Sequence, residues 1–182
     1  VDGETSTNDL VILLANGRAG GSPILKVGSA YRQFVTLLEA ACLGLAKLII
    51  KDGEGATKFI EVRVLGAKSN KSAREIAFSI AKSSLVKTAL FGQDANWGRI
   101  VAAIGNTREK IDLAKLDIIF GKTLLLRGGM YQGKEAESHV ADYLKNKELC
   151  LTVNLHNGIG SSTVFTSDLS YNYIKINAAY RS

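Results

Sequence analysis

Proline is nearly absent, with one residue in 182, so few positions forbid a backbone donor and long regular elements are favoured. Cysteine is almost as scarce. Cys42 and Cys150 have no partner at metal-ligand spacing, and both lie in apolar stretches, which predicts buried free thiols in a reducing compartment. His139 and His156 are the only histidines, too few and too isolated to spell a Ser-His-Asp arrangement or a metal site, and surface positions are expected for both. No stretch is expected to be long and apolar enough to span a membrane. The net charge of +6 comes from scattered lysines rather than a basic run interleaved with aromatics. That disfavours nucleic acid as a partner and favours solvated faces that tolerate small anions. No targeting pattern opens the chain, and Val1-Asp2-Gly3-Glu4 reads as a motif entered midway, as if cut from something longer.

What is present is enough apolar material for a core: 46% of residues are hydrophobic. The length fits one domain over residues 1–182, or two closely packed lobes at about 1–110 and 111–182. Leu10 to Ala15 is a short apolar run that predicts a strand buried on both faces. Helical spacing follows from Ser29, a candidate N-cap, to Ile50, and again from Ala73 to Ala89 behind Ser69. Ile100 to Ile104 is open between helix and strand. Leu116–Phe120 and Thr123–Arg127 flank Gly121-Lys122, a two-residue hairpin signal. Lys134 to Lys147 has an amphipathic pattern, and strands are expected at 148–155, 162–168 and 171–177. The mixture predicts an α+β or layered α/β class with largely antiparallel sheets packed with helices.

The stretch richest in chemistry is Lys51-Asp52-Gly53-Glu54-Gly55-Ala56-Thr57-Lys58, between the long helix and an alternating strand at Phe59 to Leu65. Two glycines leave this helix-to-strand turn bare, and Glu54 stands between them in the open. A carboxylate so placed suits a cationic group. A solvated loop acid beside a helix-capping Gly53 is the plainer alternative, and spacing alone favours it.

Other constellations are weaker. Asn157-Gly158-Ile159-Gly160-Ser161-Ser162 has the composition of an anion cradle, but no lysine or helix follows, so a hairpin loop is the better reading. Gly17-Arg18-Ala19-Gly20-Gly21 lacks the helix a dinucleotide fingerprint needs directly behind it. Asp94, Asn96, Trp97 and Arg99 crowd one loop, as a recognition surface or as a core plug with its indole N–H satisfied. The terminal Asn177-Ala178-Ala179-Tyr180-Arg181-Ser182 reads by composition as a fraying tail.

Five of these stretches together carry a resemblance. Val1-Asp2-Gly3-Glu4-Thr5-Ser6-Thr7-Asn8-Asp9, the Asp52 to Lys58 turn, Leu85-Val86-Lys87-Thr88-Ala89, Asn96-Trp97-Gly98-Arg99 and Ile176 to Ser182 occur in one register from end to end. In that order they resemble the β chain of the ornithine acetyltransferase family, also called glutamate N-acetyltransferase. The resemblance implies a self-cleaving, N-terminal-threonine acyltransferase or aminopeptidase-like fold. It implies a precursor cut before a threonine into α and β chains that assemble as an α2β2 heterotetramer. The threonine would carry an acetyl group from N2-acetylornithine to glutamate in arginine biosynthesis, with no metal or prosthetic group and, in bifunctional members, with acetyl-CoA as a further donor. Nucleophile, oxyanion-hole donors and a substrate-binding lysine would all lie outside this chain, which alone would be inactive. Thr5, Ser6 and Thr7 fall inside the matched motif and do not replace the nucleophile.

By the same resemblance Glu54 binds a substrate ammonium, Asn177 is a substrate-binding amide, and Ser182 stands where a terminal hydroxy residue is placed. The tail would then be docked rather than frayed. Ala179, where an aspartate is common, and Gln93-Asp94-Ala95, in place of an acidic proline-bearing sequence, depart from the pattern without touching these contacts. The location implied is cytoplasmic, or the mitochondrial matrix in a fungal or other eukaryotic source, with no membrane and no nucleic acid as partner. An N-terminal-nucleophile amidase or aminopeptidase of similar fold, and a non-catalytic binding module, are the competing readings. An isolated chain should expose an apolar, α-facing surface and aggregate.

Overall fold

Six strands form one mixed sheet in the order β4-β3-β2-β5-β1-β6, in a computed structural model that describes residues 1–179. The strands are β1 (Phe59–Ala67), β2 (Asp117–Phe120), β3 (Thr123–Arg127), β4 (Met130–Tyr131), β5 (Glu148–Asn154) and β6 (Gly160–Ser167). The helices are α1 (Ser29–Lys51), α2 (Asn70–Lys82), α3 (Ser84–Phe91), α4 (Trp97–Gly105), α5 (Lys134–Tyr143) and α6 (Tyr171–Ala179). Only β1 and β5 run parallel, with Val62 opposite Leu151, and every other pairing is antiparallel. The mixed class expected from the sequence is the one observed.

The core follows from period-two alternation meeting period 3.6. Ile60, Val62 and Val64 point one way from β1 and are fully buried, as are Ile76, Ala77 and Ile80 of α2, which packs across β1 and β6. Each such aliphatic side chain contributes about 1.5–3 kcal/mol when removed from water. Ser69 caps α2 by accepting the N–H of Ser72 at 3.2 Å. The helix expected over 73–89 is two helices. Ser83 leaves the helical region at ψ 111° and its hydroxyl caps α3 through Val86 N–H, so a polar residue able to bond backbone locally breaks the run.

Three expectations about strands fail. Residues 10–14 form no strand and are exposed, Val11 to 89%, because no strand among the described residues is there to receive them. Residues 171–177 are helix α6, not a strand: Ser170 accepts the N–H groups of Asn172 and Tyr173, a helix-starting cap that pattern reading passed over. The β5–β6 connection is not a hairpin, since both strands flank β1 on opposite sides. The hairpin at Gly121-Lys122 forms as expected, and Ile100–Ile104 is helical.

Helix α1 is the anomaly. It starts behind Gly28 without a side-chain cap, so Ser29 is a helical residue rather than the cap, and only Ile50 of its 23 residues is buried. An 18-residue window has mean hydropathy 1.7, so by length and composition this helix is apolar enough to cross a membrane, against the expectation that no stretch is. Cys42, on the same helix, is an exposed thiol, and Cys150 is half-buried.

Candidate functional site

The chain turns from α1 into β1 through Asp52–Lys58, and backbone bonds fix that turn: Asp52 N–H to Leu48 O at 2.9 Å and Ala56 N–H to Gly53 O at 3.0 Å. Its far end is held by Asp168, whose buried carboxylate accepts Thr57 N–H at 2.8 Å, Lys58 N–H at 2.9 Å and the Thr57 hydroxyl. Ser170 then donates its hydroxyl to Gly55 O at 2.5 Å while accepting the first N–H groups of α6. Gly55 has φ +65°, and a side chain there would strike the backbone of Asn172 and Tyr173. Glycine is therefore required for two reasons at once: left-handed backbone and close approach of α6.

That approach brings Asn177 onto the turn. Its Nδ2 donates to Glu54 Oε2 at 3.0 Å and to Tyr173 O at 3.0 Å. Two residues 123 positions apart, each singled out from sequence, share one hydrogen bond. Ser182, the third, lies outside the described residues.

Tyr173 extends the arrangement by donating its hydroxyl to Asp2 Oδ2 at 2.9 Å. The Glu4 N–H and the Tyr173 hydroxyl hold the Asp2 carboxyl below its ordinary range, and the same bond raises the Tyr173 phenol. Asp2, Glu4, Asp9 and Glu54 line a cleft of about 680 Å³ together with the Thr5 and Ser6 hydroxyls. In a chain of net charge +6 this is a local reversal of sign, suited to a cation. No histidine lines the cleft, and the side chains there that could accept a proton are carboxylates. Among the described residues no group of three His, Cys, Asp or Glu side chains is placed to hold a metal. A neighbouring groove of about 790 Å³, between residues 10–12 and α1, is mainly aliphatic.

The sequence profile of the ArgJ family matches residues 1–182. This chain belongs to the ArgJ family. The arginine biosynthesis bifunctional protein ArgJ of Geobacter sulfurreducens is 51% identical over 183 residues, which cover 100% of this chain and 46% of that protein. The ArgJ of Syntrophotalea carbinolica is 44% identical over 182 residues, again 100% of this chain and 46% of its own length. The chain thus spans about half the length of these curated relatives. A crystal structure of arginine biosynthesis bifunctional protein ArgJ from Bacillus halodurans superposes with a TM-score of 0.92 at 42% identity, covering 99% of this chain and 84% of that one. The sheet and helices described above are therefore an ArgJ fold.

Within this ArgJ-family fold the remaining candidates have structural uses. Asn96 caps α4 through Arg99 N–H, Trp97 stacks on Tyr131 with centroids 6.3 Å apart, and Arg99 holds Leu85 O at 2.9 Å. The 157–162 loop spends its amides on protein: Asn157 N–H on Gly66 O and Ser161 N–H on Asn70 Oδ1. His156 pairs with Asp117 at 2.7 Å, away from the cleft. Sequence reading assigned no role to Asp2, Tyr173 or Lys87. Asp2 and Lys87 sit in quoted motifs, but their partners are 171 and up to 86 positions away, beyond any local pattern.

Proposed function

We propose that this chain is part of an ArgJ-family acetyltransferase that moves the acetyl group of N2-acetylornithine to glutamate in arginine biosynthesis. In this reading a threonine outside the chain attacks the acetyl carbonyl, ornithine leaves with the transferred proton, and acetyl-threonine remains. The amine of glutamate then attacks that ester, giving N-acetylglutamate and restoring the hydroxyl. Oxyanion-hole donors and a substrate-binding lysine come from the α chain of the same precursor, in an α2β2 assembly. Catalysis needs no metal or organic cofactor, and acetyl-CoA serves as a further donor in a bifunctional enzyme.

The observation that carries the reading is the Asn177–Glu54 hydrogen bond at 3.0 Å on the wall of an acidic cleft. Glu54 keeps its other oxygen for a substrate ammonium, a charge-assisted bond of about 1.5–3 kcal/mol. Asn177 fixes the carboxylate's orientation and supplies a further amide donor, and Ser182 would add a terminal hydroxyl. The exposed apolar side chains of residues 10–14 and α1 give the α chain a face to cover.

The test is acetyl transfer from N2-acetylornithine to glutamate, without CoA, by the complete family protein and its Glu54→Ala variant. Self-cleavage is expected in both, with kcat/KM about 10–100-fold lower in the variant. An unimpaired variant would remove Glu54 from the site. Release of acetate by a cleaved wild type, with no transfer, would replace the reading with that of an amidase.

A further inference from the structure

Lys87 is a buried cation with no carboxylate in hydrogen-bond reach among the described residues. Its side chain is more deeply covered than that of Lys58, at 3% against 8% exposure. The ammonium donates to Val1 O at 2.6 Å, Ser167 O at 2.6 Å, Thr166 Oγ1 at 3.0 Å and Ser167 Oγ at 3.3 Å. All four acceptors are neutral. Burying a charge among neutral acceptors is costly compared with an aliphatic side chain of the same volume, so space-filling does not account for it.

Its partners do. Val1 leads directly into Asp2, which holds the Tyr173 hydroxyl. Ser167 leads directly into Asp168, which clamps Thr57 and Lys58 at the end of the Glu54 turn, and then into Ser170, which binds Gly55 O and starts α6. Lys87 also fixes that junction with its backbone, accepting Leu169 N–H at 3.3 Å. Two of the segments that frame the acidic cleft therefore meet at one side chain, and the third, the Glu54 turn, is bonded to the residue that follows Ser167.

We propose that Lys87 is a positioning residue for the cleft: its ammonium ties the Val1–Asp2 segment to the β6–α6 junction, and so sets Asp2, Tyr173 and the Glu54–Asn177 pair relative to one another. The kinetic consequence rests on the acetyl-transfer reading above; the structural one does not.

Protonation gives the tie a signature. Burial pushes the Lys87 pKa down to about 8, partly opposed by Asp168 at the end of β6 and Asp2 on the N-terminal segment. Lys82 of α2 binds the same N-terminal segment, donating to Gly3 O. Losing a proton leaves two donors for four acceptors and loosens the tie. Activity should then fall above about pH 8. Stability should move the other way, because between about 8 and 10.5 the unfolded chain binds the proton that the folded one has lost. A residue serving stability alone would not separate the two.

The experiment uses the complete protein with Lys87→Met and Lys87→Arg. Amide hydrogen exchange is read at residues 2–4 and 171–177, and kcat/KM for acetyl transfer is followed from pH 6 to 10. Lys87→Met is expected to speed exchange at both segments at least tenfold while leaving β1 and α2 unchanged. Its kcat/KM should fall at least tenfold and lose the alkaline limb. Lys87→Arg, whose guanidinium stays charged, should recover part of the activity and move the limb upward. Unchanged exchange in Lys87→Met, or an alkaline limb that persists in it, overturns the proposal. If Lys87→Met does not fold, an unmoved limb in Lys87→Arg overturns it and a limb moved upward supports it. A wild type without acetyl transfer would fail the functional reading alone, and the exchange result would still decide the role of Lys87.

Discussion

Residues 59–168 and residues 10–51 are both rich in Leu, Ile and Val, but they use them in opposite ways. In the first region apolar side chains fall where periodicity puts them: Ile60, Val62 and Val64 of β1 and Ile76 and Ile80 of α2 are all buried in one cluster. In the second, Leu13 is 71% exposed and α1 buries a single residue. Hydrophobic patterning identifies the face to be covered; it does not say by what. For β1 and α2 the cover lies a few residues along the chain. For α1 and residues 10–14, in a chain spanning about half the length of its relatives, the described residues contain none.

The largest effect should come from breaking the buried region. Phe120 is 1% exposed on β2, opposite Leu151, and Phe120→Ala should cost about 3–5 kcal/mol in denaturant unfolding of the complete protein through lost burial and the cavity left behind. Leu45 on α1 is 59% exposed. In the isolated chain Leu45→Lys should change stability by no more than about 0.5 kcal/mol while reducing self-association seen by sedimentation. In the complete protein the same change should weaken assembly. If Leu45→Lys unfolded the isolated chain as Phe120→Ala does, the two regions would not differ in kind.

A second comparison separates two glycines with nearly equal backbone. Gly17 in the exposed region has φ +69° and nothing near its missing side chain; Gly55 has φ +65° with α6 backbone against it. Gly17→Ala should cost only the left-handed strain, about 1–2 kcal/mol. Gly55→Ala adds a collision worth about 1–3 kcal/mol and should displace α6, so kcat/KM falls along with the melting temperature. Equal losses in thermal melts would mean that α6 yields freely to the turn and does not hold Asn177 on Glu54.

These contrasts mark how far the sequence was legible. The Glu54 turn could be read because its signal is local, two glycines between a helix and a strand, and Ser69 and the Gly121-Lys122 hairpin are local in the same way. Residues 171–177 were misread because Tyr171, Tyr173, Ile174 and Ile176 have strand propensity, while the decisive cap is Ser170, which is engaged to Gly55 115 positions earlier. Leu10–Leu14 was misread because a buried strand and an apolar segment awaiting a partner have the same composition. Lys87 lies in a matched motif, but nothing local signals its burial: a lysine in a short helix is exposed by default, and only the convergence of Val1, Thr166 and Ser167 makes it a buried one.

The smallest effect belongs to the polar edge of the well-packed region, where Asp117 at the start of β2 meets His156 on the β5–β6 connection. Burial alone would raise the Asp117 carboxyl. The His156 bond at 2.7 Å and Gly128 N–H at 2.8 Å outweigh it and hold the carboxyl below its ordinary value of 3.8. A carboxyl depressed in the folded state stabilises at pH values above 3.8, and that contribution is lost as pH falls through the depressed value. The imidazole is about half exposed, so solvent screens the pair and its worth stays below about 1 kcal/mol. Asp117→Asn keeps an acceptor for Gly128 and removes only the charge. Unfolding in denaturant should show a loss under about 1 kcal/mol at pH 6 that shrinks as pH falls below 3.8. A loss of several kcal/mol, or one independent of pH, would mean that the link braces the sheet in the way Phe120 does, and the boundary between buried and solvent-facing parts of this region would have to be moved outward to include it.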